Sequence, residues 1–304
     1  MFATKTNQKF RFSFNFIRSF DAKGGHYETK GLTPEGQVIQ IATHRHNVNM
    51  SFYHLNFGFH YQLNPRISLS LITPYTIKNQ TANVDWTIPE PTLDDQNAAI
   101  QNGYIHHRDE IYQGFDDLNF VVGYQLNGLA TSKDSLTLSG GLLLPTGRTE
   151  PNPYQLGDLG KKHLHLQFGT GTLTPTFQYR YWLPIGKSVA IQSRLITRRP
   201  FYRNKYQFLA PSETSFFLGG TLQPIKTLHL QASWMILRQG FGYWAEEQDR
   251  NTGLQMQALQ LGTNIGRTTL FSTSLILPLN QKMLSTGDTF EHGILLSSSI
   301  SHSF

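Results

Sequence analysis

The dominant pattern in this chain is alternation. Between Lys9 and Phe16, Phe10, Phe12, Phe14 and Phe16 take turns with Arg11, Ser13 and Asn15, and from Tyr53 to Leu63 every odd position is Tyr, Leu or Phe. A period of two sends successive side chains to opposite sides of an extended backbone, so each run predicts a strand with one apolar face. Ten further segments keep such a parity. Among them are Leu118, Phe120, Val122, Tyr124 and Leu126; Phe177, Tyr179, Tyr181 and Leu183; and, ending the chain, Ile294, Leu296, Ile300 and Phe304. No Lys, Arg, Asp or Glu interrupts these apolar faces.

The connections alternate too. Short turns fall near 64–66, 127–134, 184–187, 224–227 and 266–268, and between them lie long segments near 21–47, 76–114, 147–172, 198–212, 239–253 and 279–291. A soluble up-and-down barrel or sandwich could carry the same faces turned inward, but nothing in it would keep every second connection short. A transmembrane barrel has short periplasmic turns and long extracellular loops, and an even strand number returns both termini to the periplasmic side. Spans of about ten residues match a tilted crossing of the hydrocarbon core. Tyr61, Tyr181 and Trp182 near strand ends suit the interfacial aromatic girdles. The expected fold is therefore all-β, a transmembrane antiparallel up-and-down β-barrel of about twelve strands, with residues 1–304 forming a single outer-membrane domain.

Composition narrows the class further. Aromatic residues make up 12% of the chain, too many for a segment unable to bury apolar surface. No apolar run approaches the roughly 18 residues of a spanning helix. With no Cys, disulfide scaffolds and thiolate chemistry are excluded. The net charge of +6 is spread along the chain rather than gathered on a stripe, which argues against a nucleic-acid partner. Met1 to Phe20 lacks the apolar stretch of an export signal, so a signal removed ahead of this numbering is expected, with Met1 as a processing start.

Three motifs add a resemblance. Gly114-Phe115-Asp116-Asp117-Leu118 opens a strand, Gly141 to Gly147 (GLLLPTG) closes one, and Phe168-Gly169-Thr170-Gly171-Thr172 precedes the next. In order and spacing they resemble the family of outer-membrane transporter barrels named for the meta-pathway of phenol degradation, with Asp116-Asp117 standing where that family has a Gly-Asp pair. The resemblance covers about 60 residues. It implies a barrel that passes small hydrophobic or aromatic compounds. As chemistry the motifs read as rim structure, with Gly147 and Gly169 permitting close backbone approach and Pro145 ending a ladder.

Candidate functional residues fall on the parity opposite to the apolar one. The lumen is expected to be polar and weakly cationic, with Arg11, His54, His60, Arg180, Arg194 and His229 among its lining groups; this suits anionic or hydrogen-bonding solutes, and equally a ladder that fills a narrow barrel. Toward the extracellular ends the inward parity turns apolar at Phe52, Ile72, Leu143, Ile196, Phe217, Met235, Ile276 and Leu295, expected as one ring that either lines a vestibule or seats a plugging loop, with segment 76–114 as the cover. His44 with His46, His106 with His107, and His163 with His165 lie in or beside long loops of the same side. An i, i+2 pair on an extended segment points both imidazoles one way, which suits a transition metal as well as a solvated surface. Phe304 resembles the sorting signal read by the barrel-assembly machinery at the C-terminal strand.

No nucleophile elbow appears, so no catalytic residue and no cofactor are expected. The implied partners are outer-membrane lipid, the assembly machinery and a small-molecule solute. Two functions follow: a channel for small hydrophobic or aromatic compounds, anionic ones among them, or a plugged structural or partner-binding barrel that holds a transition metal through its outer histidines.

Overall fold

A computed structural model describes residues 9–286 and 288–304, so Met1, read above as a processing start, lies outside the described residues. The first elements are β1 (Phe10–Leu32), β2 (Val38–Gln62), β3 (Ile67–Trp86), α1 (Leu93–Ile105), β4 (Glu110–Phe115), β5 (Leu118–Asn127), β6 (Ser135–Leu144) and α2 (Pro153–Asp158). Then come β7 (Thr174–Ile185), β8 (Val189–Arg198), β9 (Phe208–Leu209), β10 (Glu213–Ile225), β11 (Leu228–Gln239), β12 (Tyr243–Trp244) and β13 (Glu247–Gln248). The chain closes with β14 (Leu254–Gly266), β15 (Thr269–Met283), β16 (Thr289–Glu291) and β17 (Leu295–Ser303).

Among the described residues these strands build one closed antiparallel barrel of twelve staves, each paired with its predecessor in the chain; β4 with β5, and β16 with β17, each form one interrupted stave. Closure joins the two ends of the chain: Arg11 to Ser19 of β1 pair with Ser303 to Leu295 of β17, while the other edge of β1 pairs with β2. The predicted apolar parity points outward. Phe57 is 53% exposed and Val122 41% exposed in the isolated chain, as side chains must be when lipid is their intended surroundings. Barrel closure pairs the backbone of every stave laterally, which is what allows strands to cross hydrocarbon.

The segments expected as loops at 21–47 and 76–114 are largely strand. β1 and β2 run for 23 and 25 residues, well beyond the roughly 9–11 that a crossing needs, and turn only at 33–37. A bulge between Ser19 and Ala22, with Asp21 at φ 53°, inverts the parity of β1. Ser19 lies opposite Phe52, Ala22 opposite Met50 and His26 opposite His46, so odd residues face inward below the bulge and even ones above it. Above the membrane there is no lipid to demand an apolar face, and the alternation that marks a crossing strand lapses. The long connections elsewhere fold as well: β9, β12 and β13 make a small sheet in which the Phe208 and Trp244 rings pack at 4.5 Å, tilted by 34°.

Candidate functional site

The inward row of β2 marks depth along the barrel. From the outer, long-loop end it reads His44, His46, Val48, Met50, Phe52, His54, Asn56, Gly58 and His60: an imidazole pair, an apolar layer, then a polar lumen. His46 stands six residues, about 20 Å of strand, beyond Phe52.

In the lumen most of the polar side chains of β1, β2 and β3 are tied to one another. Asn56 Nδ2 donates to Asn15 Oδ1 at 3.1 Å, and Asn15 Nδ2 donates to Ser297 Oγ at 2.9 Å. His54 Nδ1 donates to Thr76 Oγ1 at 2.8 Å, whose hydroxyl donates to Asp116 Oδ2 at 2.6 Å; His60 Nδ1 lies 2.9 Å from Ser70 Oγ. Arg11 is level with His60, and His229 with Asn264. The arginines of β7 and β8 differ. Arg180 and Arg194 are directly opposite each other across the strand pair, and neither takes part in an ion pair among the described residues. The Arg194 guanidinium lies 5.8 Å from the centre of the Phe217 ring, and its buried Nε has no hydrogen-bond partner.

The eight apolar positions do not all meet. Met235 packs with Phe217 and Ile276 around Met256 and Ala258, and Leu295 lies opposite Ile276. Leu143 is level with Asn119, whose other neighbour is Ile72, and Ile196 lies opposite Ser215. Phe52 belongs to a separate cluster with Ala22, Val48, Met50 and Phe290. Its partner on β3 is Lys78, six residues beyond Ile72, so Phe52 and Ile72 stand at different depths.

The side chains against Phe52 are Phe290, its ring centre 6.3 Å away, and Lys78, which joins this layer to the 145–173 segment; of the expected cover 76–114, Ile88 and Leu93 are exposed. Lys78 Nζ lies 5.9 Å from the Phe52 ring centre and 5.0 Å from that of buried Phe168, and donates to the carbonyl of Gln167. Asp117 holds this segment in place. Its Oδ1 accepts from the Gly147 amide at 3.0 Å, and its Oδ2 accepts from the Thr170 amide and hydroxyl, both at 2.7 Å. The three motifs noted in the sequence thus converge on one carboxylate. A Cβ on Gly147 would sit 2.7 Å from the Cα of Gly169, so both positions need glycine for the backbones to touch.

Above this layer seven histidines gather from four stretches of chain. His26 comes from β1, His44 and His46 from β2, His106 and His107 from the end of α1, and His163 and His165 from the segment after α2. One ligand atom from each of His26, His46, His106 and His107 lies within 4.8 Å of the others, and the same holds for His106, His163 and His165. Burial first, and neighbouring imidazoles second, hold His46 down to about 3 and His106, His107 and His165 well below the usual histidine range. Neutral imidazoles with free lone pairs result, the form in which histidine binds metal. The sequence reading missed His26 and Lys78 as parts of this mouth, and it placed Asp117 in a rim motif without its partners Gly147 and Thr170.

No family model and no curated protein matches the chain. Among solved structures it is similar to an outer membrane channel from Pseudomonas putida F1, with 11% identity and a TM-score of 0.59 over 98% of this chain and 97% of that one. Looser likenesses are the P. putida toluene transporter TodX, at 8% identity and TM-score 0.46, and the Ralstonia pickettii toluene transporter TbuX, at 7% and 0.42; the chain aligns over 98% of its length with 91% and 90% of theirs. At such identities what is shared is the fold, a closed antiparallel barrel of the outer-membrane type.

Proposed function

We propose that the protein is an outer-membrane channel for small hydrophobic or aromatic compounds, anionic ones among them, and that it belongs with the transporter barrels its glycine motifs resemble. The observation that carries this reading is the meeting of two surfaces inside the wall. An apolar patch of Phe217, Met235, Met256 and Ile276 adjoins Arg194, which is opposite Arg180 and has an unpartnered Nε. An aromatic carboxylate offers complementary surfaces, a ring for the apolar side chains and an anion for guanidinium groups that present several donors in a plane. Leu143, Ile196 and Leu295 extend the apolar lining, and the outward apolar faces place the barrel in outer-membrane lipid. On this reading the assembly machinery takes the chain through its C-terminal strand.

The test is conductance in planar bilayers. The wild-type barrel is expected to pass ions with an anion preference, and benzoate at millimolar concentration should lower the current by occupying the site. Arg180→Gln with Arg194→Gln should abolish the preference, and Phe217→Ser with Met235→Ser should weaken the benzoate effect without reversing selectivity. A folded barrel that stays silent under all conditions would instead support a structural role.

A further inference from the structure

We infer that His26, His46, His106 and His107, with His163 and His165 against them, form a binding site for one divalent transition-metal ion, zinc or copper, which clasps the outer segments of the chain together. The site does not depend on any solute passing through the barrel.

The hydrogen bonds around the cluster determine where lone pairs are free. His44 Nδ1 can only donate to the Ala42 carbonyl, 2.9 Å away, so in the neutral ring its Nε2 is an acceptor. That acceptor lies 2.9 Å from His46 Nε2, which must therefore carry the proton and donate. His46 Nδ1 is left as a bare lone pair, buried and without a partner. In the same way His163 Nδ1 donates to the Lys161 carbonyl at 2.8 Å, which leaves its Nε2 as the free nitrogen. Anchoring one ring nitrogen on a carbonyl so that the other can face a metal is how ligating histidines are oriented. Behind His165 stands Asn251, with its Nδ2 3.1 Å from His165 Nδ1 and 3.2 Å from the Tyr154 hydroxyl, which itself donates to Asp249.

Two further ring nitrogens, His107 Nε2 and His165 Nε2, are buried and unpartnered. Three such atoms in one cluster is a cost that packing alone leaves uncompensated, whereas an ion held by His26, His46, His106 and His107 would take up the unpartnered nitrogens of His46 and His107. Four nitrogens about a tetrahedral ion are separated by roughly 3.4 Å, so ligand atoms now within 4.8 Å need only small ring rotations to close. His106 belongs to both sets, with ring centres 3.9 Å from His107 and 4.7 Å from His165, so the two sets make one continuous cluster. A donor set made wholly of imidazole selects zinc or copper over calcium or magnesium, whose ligands are oxygens.

The experiment uses full-length barrel without a polyhistidine tag, purified in detergent, stripped with chelator and titrated with Co²⁺, then with Zn²⁺ in competition. One equivalent is expected, with the visible absorption of tetrahedral nitrogen-bound cobalt. His46→Ala and His106→Ala should each weaken binding by about a hundredfold or more, whereas His302→Asn, at the opposite end of the barrel, should not. Heat-modifiable migration in gels verifies that each variant is folded. Zinc should also slow protease cleavage within residues 145–172 of the wild type and leave His106→Ala unaffected. If the stripped, folded wild type takes up no more metal than His46→Ala/His106→Ala, or if zinc leaves proteolysis of the wild type unchanged, the proposal fails.

Discussion

A carboxylate that is 5% exposed needs partners, and Asp117 has three donors from residues 30 and 53 positions away in the chain. Removing it would strand the Gly147 and Thr170 amides and the Thr170 hydroxyl in the barrel mouth. Asp117→Ala is therefore expected to cost about 2–4 kcal/mol, the range for several buried donors losing a charged acceptor, and to release the 145–172 segment that carries Phe168. Asp117→Asn should cost less, because one oxygen survives. Denaturant unfolding and protease sensitivity of 145–172 would measure both, and an Asp117→Ala barrel with an equally resistant segment would show that the carboxylate does not anchor it. Gly169→Ala should behave like the aspartate variant, since its Cβ would lie 2.5 Å from Asp117 Oδ1. The motif residues were legible in sequence as rim structure. Their convergence was not, because nothing local links Asp117 to Thr170. The histidine pairs were legible by their spacing, but His26 stands alone in sequence. Only counting back from the Thr33-Pro34-Glu35-Gly36 turn, through the register shift between Glu28 and Lys30, sets it opposite His46.

For the strands, the physical demand that made them readable is uniform: lipid on one side, polar lumen on the other. That demand predicts an asymmetry between neighbouring residues. Arg in place of Phe57 or Val122, which face outward, should destabilise the barrel by roughly 2–4 kcal/mol near the bilayer midplane, while Arg in place of Asn56 or Gln178, which face inward, should be far better tolerated. Folding into lipid vesicles, followed by chemical denaturation, would compare them, and equal costs at both parities would contradict a lipid-facing exterior. The same logic explains where strand prediction stopped. The upper halves of β1 and β2 are solvated by neither lipid nor lumen alone, the bulge at Asp21 swaps the parity of β1, and residues 78–81 of β3 turn polar on both faces. A pattern built on lipid contact reads all three as loop, though hydrogen-bonded pairing continues through them.

At the level of the whole molecule, the barrel depends on its last strand finding its first, across nearly the full length of the chain. Nine residue pairs from Arg11–Ser303 to Ser19–Leu295 make that seam, and Phe304 ends it: its amide donates to the Phe10 carbonyl at 2.9 Å and its ring meets Phe12 edge-on at 5.9 Å. The Phe304 side chain is 60% exposed, so little of it is buried by the folded barrel itself. Thermodynamics and assembly therefore make separable predictions. Phe304→Ala keeps the backbone bond and forfeits a partly exposed ring contact, which should lower the stability of the refolded protein by only about 0.5–1.5 kcal/mol. If the terminal aromatic is what the assembly machinery reads, the same substitution should sharply reduce the amount of heat-modifiable barrel in the outer membrane of expressing cells. Comparing refolding in vitro with assembly in cells isolates the two effects. Equal, mild losses in both would make Phe304 a seam residue only, whereas near-normal refolding with failed assembly would show that the exposed ring is held for recognition before the seam closes.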